Sequence, residues 1–381
     1  MKTAALGAVV LSLLAVSRPA SAQLGGFLDK AQKAQDAKKK VDSLNISDED
    51  ERKIGSDVSA KVRTRFGVVQ DAAVTKYVTL VGMTMASQTE RANLQWQFIV
   101  LDTDGVNAFA SPGGFVHITR GALGLIKNEG ELAAVLGHEI GHVVHKHTVD
   151  AIKKANAEKM ASQAANDASG GGARGGMLEF VANKAYDQIL EGTFDRGDEL
   201  DADKFSVTIT QKVGYAPGAL ADFLTRLDDR NKDQPARNGL FASHPDTKER
   251  IQKIRQMAGS KPGALDAARY AANIKYEASP LTTIAVVADG ASGLTGSTNT
   301  KDDDKAKKDD DKAKKDEPKK GFGLGALKKS TSADNQTAQV SASGGARGVG
   351  PDRAAKGGPN PAVVKVSVSA ADVAAFAKAI A

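Results

Sequence analysis

The chain has 381 residues, with 52 Lys and Arg against 46 Asp and Glu, a formal charge of +6 and no cysteine. Without cysteine there is neither a disulfide framework nor a thiolate metal site, so a folded part must be held by its apolar core. The positive balance is too mild to argue for nucleic acid or an anionic membrane as partner, and the length allows one domain of about 230 residues plus tails.

Residues 1–22 read as a targeting segment: Lys2, an apolar run from Ala4 to Val16, then Ala20-Ser21-Ala22 as cleavage site. The run is too short to span a membrane, which takes about 20 residues. Removing Lys2 and Arg18 lowers the formal charge from +6 to +4, and the expected product is an exported, periplasmic chain without a transmembrane helix. Residues 23–46 form a Lys-, Ala- and Gln-rich arm with no assigned role.

At Ser47 a helix start is expected, with Ser47 as N-cap and acids in the first turn. Ile54, Val58, Val62 and Phe66 follow at four-residue steps, and Gly67 closes the helix. A second helix reads from about Asp71 to Thr89. Leu94–Leu101 reads as a strand, Asp102–Gly105 as a turn, and Pro112-Gly113-Gly114 as a break before another strand, Phe115–Thr119. His117 falls in that strand and reads as a paired strand histidine rather than a ligand. A short helix from Arg120 leads to the stretch that organises the chain.

That stretch is Glu131–His147. Leu132, Val135, Leu136, Ile140, Val143 and Val144 make a broad apolar band at helical period. On it lie His138, Glu139 and His142, an H-E-x-x-H pattern. Histidines four apart share one helix face, so both imidazoles can reach one cation, with Glu139 beside it to take a proton from water. Only six histidines occur in the chain, and four fall within ten positions here. Imidazole and carboxylate suit zinc. Two histidines do not hold it firmly, so a third ligand is required elsewhere. His145 lies on the stripe of His138 but one turn past His142, and His147 is expected on the opposite side; both read as supporting residues rather than ligands.

A glycine-rich loop at 169–176 follows, then helical character over 178–213. Within it Glu199 and Asp203 are four apart, so one carboxylate can bind metal while the other holds a ligand histidine. The helix ends at Val213-Gly214 with Pro217 beyond, and another carries Leu220, Phe223, Leu224 and Leu227. Ser243-His244-Pro245 then precedes a helix with Arg250, a pattern that packing alone does not explain. Residues 279–361 read as a charged, Gly-rich linker in which Asp302–Lys308 is repeated letter for letter at Asp309–Lys315. Residues 363–381 read as a short strand and helix, which either dock on the domain or form a partner-binding tip.

Taken in order, four patterns resemble the zinc metallopeptidase family that includes HtpX, the CAAX prenyl proteases and the periplasmic β-barrel-assembly-enhancing proteases. They are Asn107-Ala108-Phe109-Ala110 with Pro112-Gly113-Gly114, His138–His142, Glu199–Asp203, and Ser243-His244-Pro245 with Arg250. The resemblance implies an α+β, zincin-like domain over 47–278, mostly helical with a small antiparallel-edged sheet and flanked by disordered tails. It implies His138, His142 and Glu199 as ligands of one zinc per chain, Asp203 behind a ligand histidine, and Asn107 and Ala108 offering backbone to a peptide. His244 and Arg250 would approach the oxyanion, and His244 can also cap the metal.

The reaction that follows is peptide-bond hydrolysis by metal-activated water, with Glu139 as general base and unfolded or outer-membrane polypeptides as substrates. Two rivals are a latent protease acting mainly as a chaperone or assembly factor, and a binding protein with a structural zinc. The second is disfavoured because structural sites usually have four protein ligands and no need of Glu139.

Overall fold

Polar side chains at its ends set the first helix. Ser47 Oγ accepts from the Asp50 N–H at 3.2 Å while the Asp50 carboxylate accepts from the Ser47 N–H at 2.9 Å, a reciprocal cap. Helix α1 then runs Asp48–Phe66 and closes at Gly67, whose φ of 76° lies in the left-handed region. The computed structural model describes residues 46–156, 173–190, 194–232, 244, 247–277 and 359–380. The targeting segment, the arm up to residue 45, most of the glycine-rich loop, Ser243, Pro245 and the Asp/Lys repeat lie outside the described residues. Apart from residues 153–156 and 173, the elements considered below belong to the unit formed by residues 46–152 and 174–381.

Helix α2 (Ala72–Ala86) is capped by Asp71, which accepts from the Ala73 and Val74 N–H groups. Three strands follow: β1 (Gln97–Leu101), β2 (Ala108–Ser111) and β3 (Phe115–Thr119). Their order is β1-β3-β2, with β1 parallel to β3 and β2 antiparallel to it. The β2–β3 hairpin turns at Gly113 and Gly114, both at positive φ. A side chain at Gly113 would lie 2.6 Å from the backbone of Arg52, so glycine is required there for space as well as for conformation. The domain is mostly helical with a small sheet that has an antiparallel edge, as expected.

Helix α3 (Arg120–Leu125) leads into α4 (Glu129–Val144), every residue of which is buried. A helix sunk this deeply needs a partner for each polar side chain. Glu129 accepts from the hydroxyls of Tyr77 (2.8 Å) and Tyr215 (2.6 Å) and from the Arg269 guanidinium. Glu131 takes a two-pronged contact from Arg226, both at 2.8 Å. The helix ends earlier than its apolar pattern suggests. Arg91 donates to the Val143 carbonyl at 2.8 Å, satisfying a terminal acceptor. Lys146 adopts φ 60°, unusual for a residue with a side chain, and its ammonium pairs with Glu51 at 2.5 Å. Residues 147–156 (α5) then start a new helix.

Helices α6 (Ala173–Leu190), α7 (Arg196–Val213), α8 (Ala219–Asn231), α9 (Thr247–Ala258) and α10 (Ala267–Asn273) complete the main body. α7 packs closely on α4 because Gly137 and Gly141 face it: side chains there would meet Ile209 and Ala202 at 3.3 Å. Ser206 Oγ donates to the Ala134 carbonyl across the same interface at 2.7 Å. At the C-terminal end, residues 361–369 pair with no strand, and α11 (Ala370–Lys378) follows. Phe376 packs on the Tyr77 ring and under the Arg269 guanidinium, which also donates to the Ala379 carbonyl at 2.8 Å. Among the described residues the expected terminal strand at 363–369 finds no strand partner, and just before it Gln70 donates to the Ala362 carbonyl at 2.9 Å.

His117 is fully buried on β3, with Nε2 3.0 Å from Ser59 Oγ and its ring stacked on Phe109. Burial pushes its imidazole down to about 3, with the charge of Arg63 adding to the effect. The unfolded chain therefore takes up a proton below about pH 6.5 that the folded chain refuses, so stability present above that pH is lost as pH falls towards 3. The stability advantage of wild type over His117→Leu should shrink by about 2–3 kcal/mol between pH 7 and 4.5. Urea unfolding at several pH values measures it; parallel profiles would refute the assignment.

Candidate metal centre

The one-turn spacing on α4 brings His138 and His142 Nε2 to 3.1 Å from each other. α7 crosses this face and presents Glu199 from its first turn. Its carboxylate oxygens lie 3.6 Å from His138 Nε2 and 3.5 Å from His142 Nε2. Two donors about 2.0–2.1 Å from one tetrahedral zinc lie roughly 3.3 Å apart, and the three observed separations bracket that value. His244 joins them, with Nδ1 2.7 Å from Glu199 and 3.4 Å from His138 Nε2. His138, His142, Glu199 and His244 thus form a buried cluster capable of holding a divalent metal.

The electrostatics suit that cargo. Burial lowers the pKa of both His138 and His142, so the imidazoles are neutral and keep a lone pair to donate. Burial opposes ionisation of Glu199, but the neighbouring His244 and Arg250 hold it well below the usual carboxylate range. Asp203 behaves alike: burial opposes, Arg250 prevails, and the carboxyl sits at about 2. His244 is held above the ordinary imidazole range by Glu199, although burial opposes that too. Glu139 goes the other way, pushed up by burial, with His244 Nε2 3.8 Å from its Oε1.

The supporting contacts are specific. Asp203 lies 3.0 Å from His138 Nδ1, the nitrogen away from the centre. Arg250 is fully buried on α9; Nε and Nη2 each donate to Asp203 at 2.8 Å, and Nη1 lies 2.8 Å from Glu199 and 3.4 Å from the His244 carbonyl. Its guanidinium is thereby occupied in holding the two carboxylates and the loop of His244. Phe194, which sequence reasoning did not single out, lays its ring on His142 with centroids 4.3 Å apart and stacks on His244 at 5.8 Å. A lone aromatic before a helix carries no pattern that could have marked it.

His147 does not point away from the centre. The break after Val144 turns it back, and its Nδ1 lies 3.0 Å from His142 Nδ1. At the sheet, Asn107 turns its backbone inward: its carbonyl accepts from the Thr119 N–H at 2.9 Å and its N–H donates to Thr119 Oγ1 at 3.0 Å. Alternation along an antiparallel pair then directs the N–H and C=O of Ala108 and Ala110 to the edge away from β3. Beside Glu139 and His244 lies a small open-sided pocket walled by Val135, Leu220, Phe223 and Leu224. Among the described residues, no helix is long and apolar enough to cross a membrane.

Comparison with known proteins agrees with this geometry. Residues 72–258, a stretch that contains the whole cluster, match the model of peptidase family M48. The β-barrel assembly-enhancing protease of Yersinia pestis is 26% identical over 265 residues, covering 66% of this chain and 53% of the relative. The mitochondrial metalloendopeptidase OMA1 of Schizosaccharomyces pombe is 27% identical over 218 residues, 56% of this chain and 62% of the relative. Metalloprotease YcaL of Escherichia coli is 30% identical over 162 residues, 42% and 60% respectively. The chain spans about half the length of the β-barrel assembly-enhancing proteases it matches. These likenesses are to the M48 superfamily at large and do not select the HtpX or prenyl-protease branch within it.

Replacing Arg250 by Met would strand two ionised carboxylates in the interior. Removing one partner of such a buried set costs about 3–5 kcal/mol. Urea unfolding of the metal-free chain should show a loss of that order, and a loss below about 1 kcal/mol would contradict the pairing.

Proposed function

We propose, taking residues 72–258 as a domain of the M48 peptidase superfamily, that this chain is a zinc-dependent metalloendopeptidase. The observation that carries the reading is the convergence of His138, His142 and Glu199, with Glu139 on the same helix as the histidines and 3.8 Å from His244 Nε2. His138, His142 and Glu199 would hold the zinc, which would supply Lewis-acid activation of the attacking water and of the substrate carbonyl. Glu139 takes the proton of the attacking water and returns it to the leaving amine. Burial shifts its carboxyl upward, which makes it a stronger base towards that proton than an exposed carboxylate would be. Asp203 holds His138 in orientation, and Arg250 holds Asp203 and Glu199.

A donor to the developing oxyanion is best supplied by His244, whose Nε2 faces the Glu139 side. Arg250 suits this role less, because its N–H groups already serve Asp203, Glu199 and the His244 carbonyl. The outward backbone groups of Ala108 and its neighbour Ala110 suit a substrate lying along β2 as an added strand, with Asn107 anchoring that edge to β3. Such binding takes extended polypeptide with little regard to side chains. The apolar pocket beside Glu139 would favour an apolar residue next to the scissile bond. Unfolded or outer-membrane polypeptides fit this mode, and the name of the β-barrel assembly-enhancing relatives supports a periplasmic setting.

A second reading rests on His244 Nδ1, which lies among the other donors. As a fourth ligand it would close the position a water needs and leave a latent protease that serves mainly as a chaperone or assembly factor. The two roles of His244 oppose each other experimentally. Casein cleavage by His244→Ala should fall if the side chain chiefly serves the oxyanion and rise if it chiefly caps.

Glu139→Gln should keep one zinc per chain by elemental analysis and lose about a hundredfold or more in casein cleavage. A Glu139→Gln enzyme of full activity would end the peptidase reading.

A further inference from the structure

Outside the metal cluster a second group of side chains converges: His145, His147 and Asp201. His147 is buried, while Asp201 is about half exposed, on α7 two residues from Glu199. His147 Nε2 lies 3.3 Å from Asp201 Oδ2, and the same oxygen meets His145 Nδ1. At its other end His147 Nδ1 meets His142 Nδ1 at 3.0 Å. We propose that His147 and Asp201 are positioning residues that fix the tautomer and ring orientation of His142. This inference rests on the zinc reading above.

Proton counting supports it. His142 turns Nε2 to His138 and Glu199, so as a metal ligand it carries its proton on Nδ1. That proton points at His147 Nδ1, which must accept it. A neutral imidazole has one lone pair and one N–H, so His147 then bears its own proton on Nε2, facing Asp201. Each link has a donor and an acceptor, and the direction runs from the centre to the half-exposed carboxylate.

Each ligand histidine thus has an anion behind it: Asp203 directly for His138, and Asp201 through His147 for His142. The arrangement depends on the helix break. On an uninterrupted helix, residues five apart lie about 140° from each other, and His147 could not reach the His142 ring. The same counting argues against a cation shared by His145, His147 and Asp201. It would need the Nε2 lone pair of His147 while Nδ1 is already the acceptor for His142.

The test is zinc affinity, measured by competition with a chromophoric chelator, alongside unfolding of the metal-free chain. Wild type should bind one zinc. His147→Leu, which cannot accept, should raise the dissociation constant roughly 10–100-fold. His147→Gln, whose amide both accepts and donates, should recover most of that loss. Asp201→Ala, at the half-exposed end, should weaken zinc roughly tenfold without changing the metal-free unfolding midpoint.

Wild-type affinity in His147→Leu would overturn the proposal. So would equal loss in the Leu and Gln variants, which would mark a packing role, or a second zinc equivalent that vanishes in His145→Ala. Failure of the wild-type chain to bind any zinc would instead refute the metal centre, and the relay with it. A chain that binds zinc irrespective of residue 147 would sink the relay alone.

Discussion

Charge compensation in a dry interior is the constraint on which this domain turns. Two ionised carboxylates, Glu199 and Asp203, lie buried against one guanidinium, Arg250. That set is one positive charge short, and an uncompensated buried charge is expensive. The raised His244 shows one way to supply the missing charge, by a proton. A divalent cation between His138, His142 and Glu199 is the other. Proton and metal therefore compete for the same carboxylate, which links the state of His244 to the state of the centre.

The same constraint shapes the scaffold. Because α4 is buried along its whole length, its acids recruit partners from distant parts of the chain. Glu129 gathers Tyr77, Tyr215 and Arg269, and Arg269 in turn carries the α11 segment through Phe376 and the Ala379 carbonyl. Arg226 on α8 does the same for Glu131. The helix that bears His138 and His142 is thus tied at its N-terminal end by charge and along its length by glycine-enabled contact with α7. Its histidines are held by packing and need little ordering when a metal binds.

At the C-terminal end of α4 another charge cluster acts. Arg91 satisfies the Val143 carbonyl and pairs with Glu51, which also holds Lys146 in its left-handed conformation. Ending the helix there, rather than three residues later, is what lets His147 approach His142. A largely buried ion cluster and the His142 ring are coupled through a single turn of backbone.

What could be read in the sequence was whatever depends on local repetition. Spacing of four on a helix paired His138 with His142 and Glu199 with Asp203, because the α-helical turn fixes that geometry wherever the helix sits. Capping at Ser47, closure at Gly67 and Gly214, and the apolar periods of α1, α2 and α8 were legible for the same reason. The tertiary structure alone decided the contacts that depend on how distant segments meet. Those are the Phe194 ring on His142, the withdrawal of Arg250 to Asp203 and Glu199, the inward backbone of Asn107, and the break at Lys146 that reverses His147. No periodicity encodes them, since each depends on a partner brought in from another part of the chain.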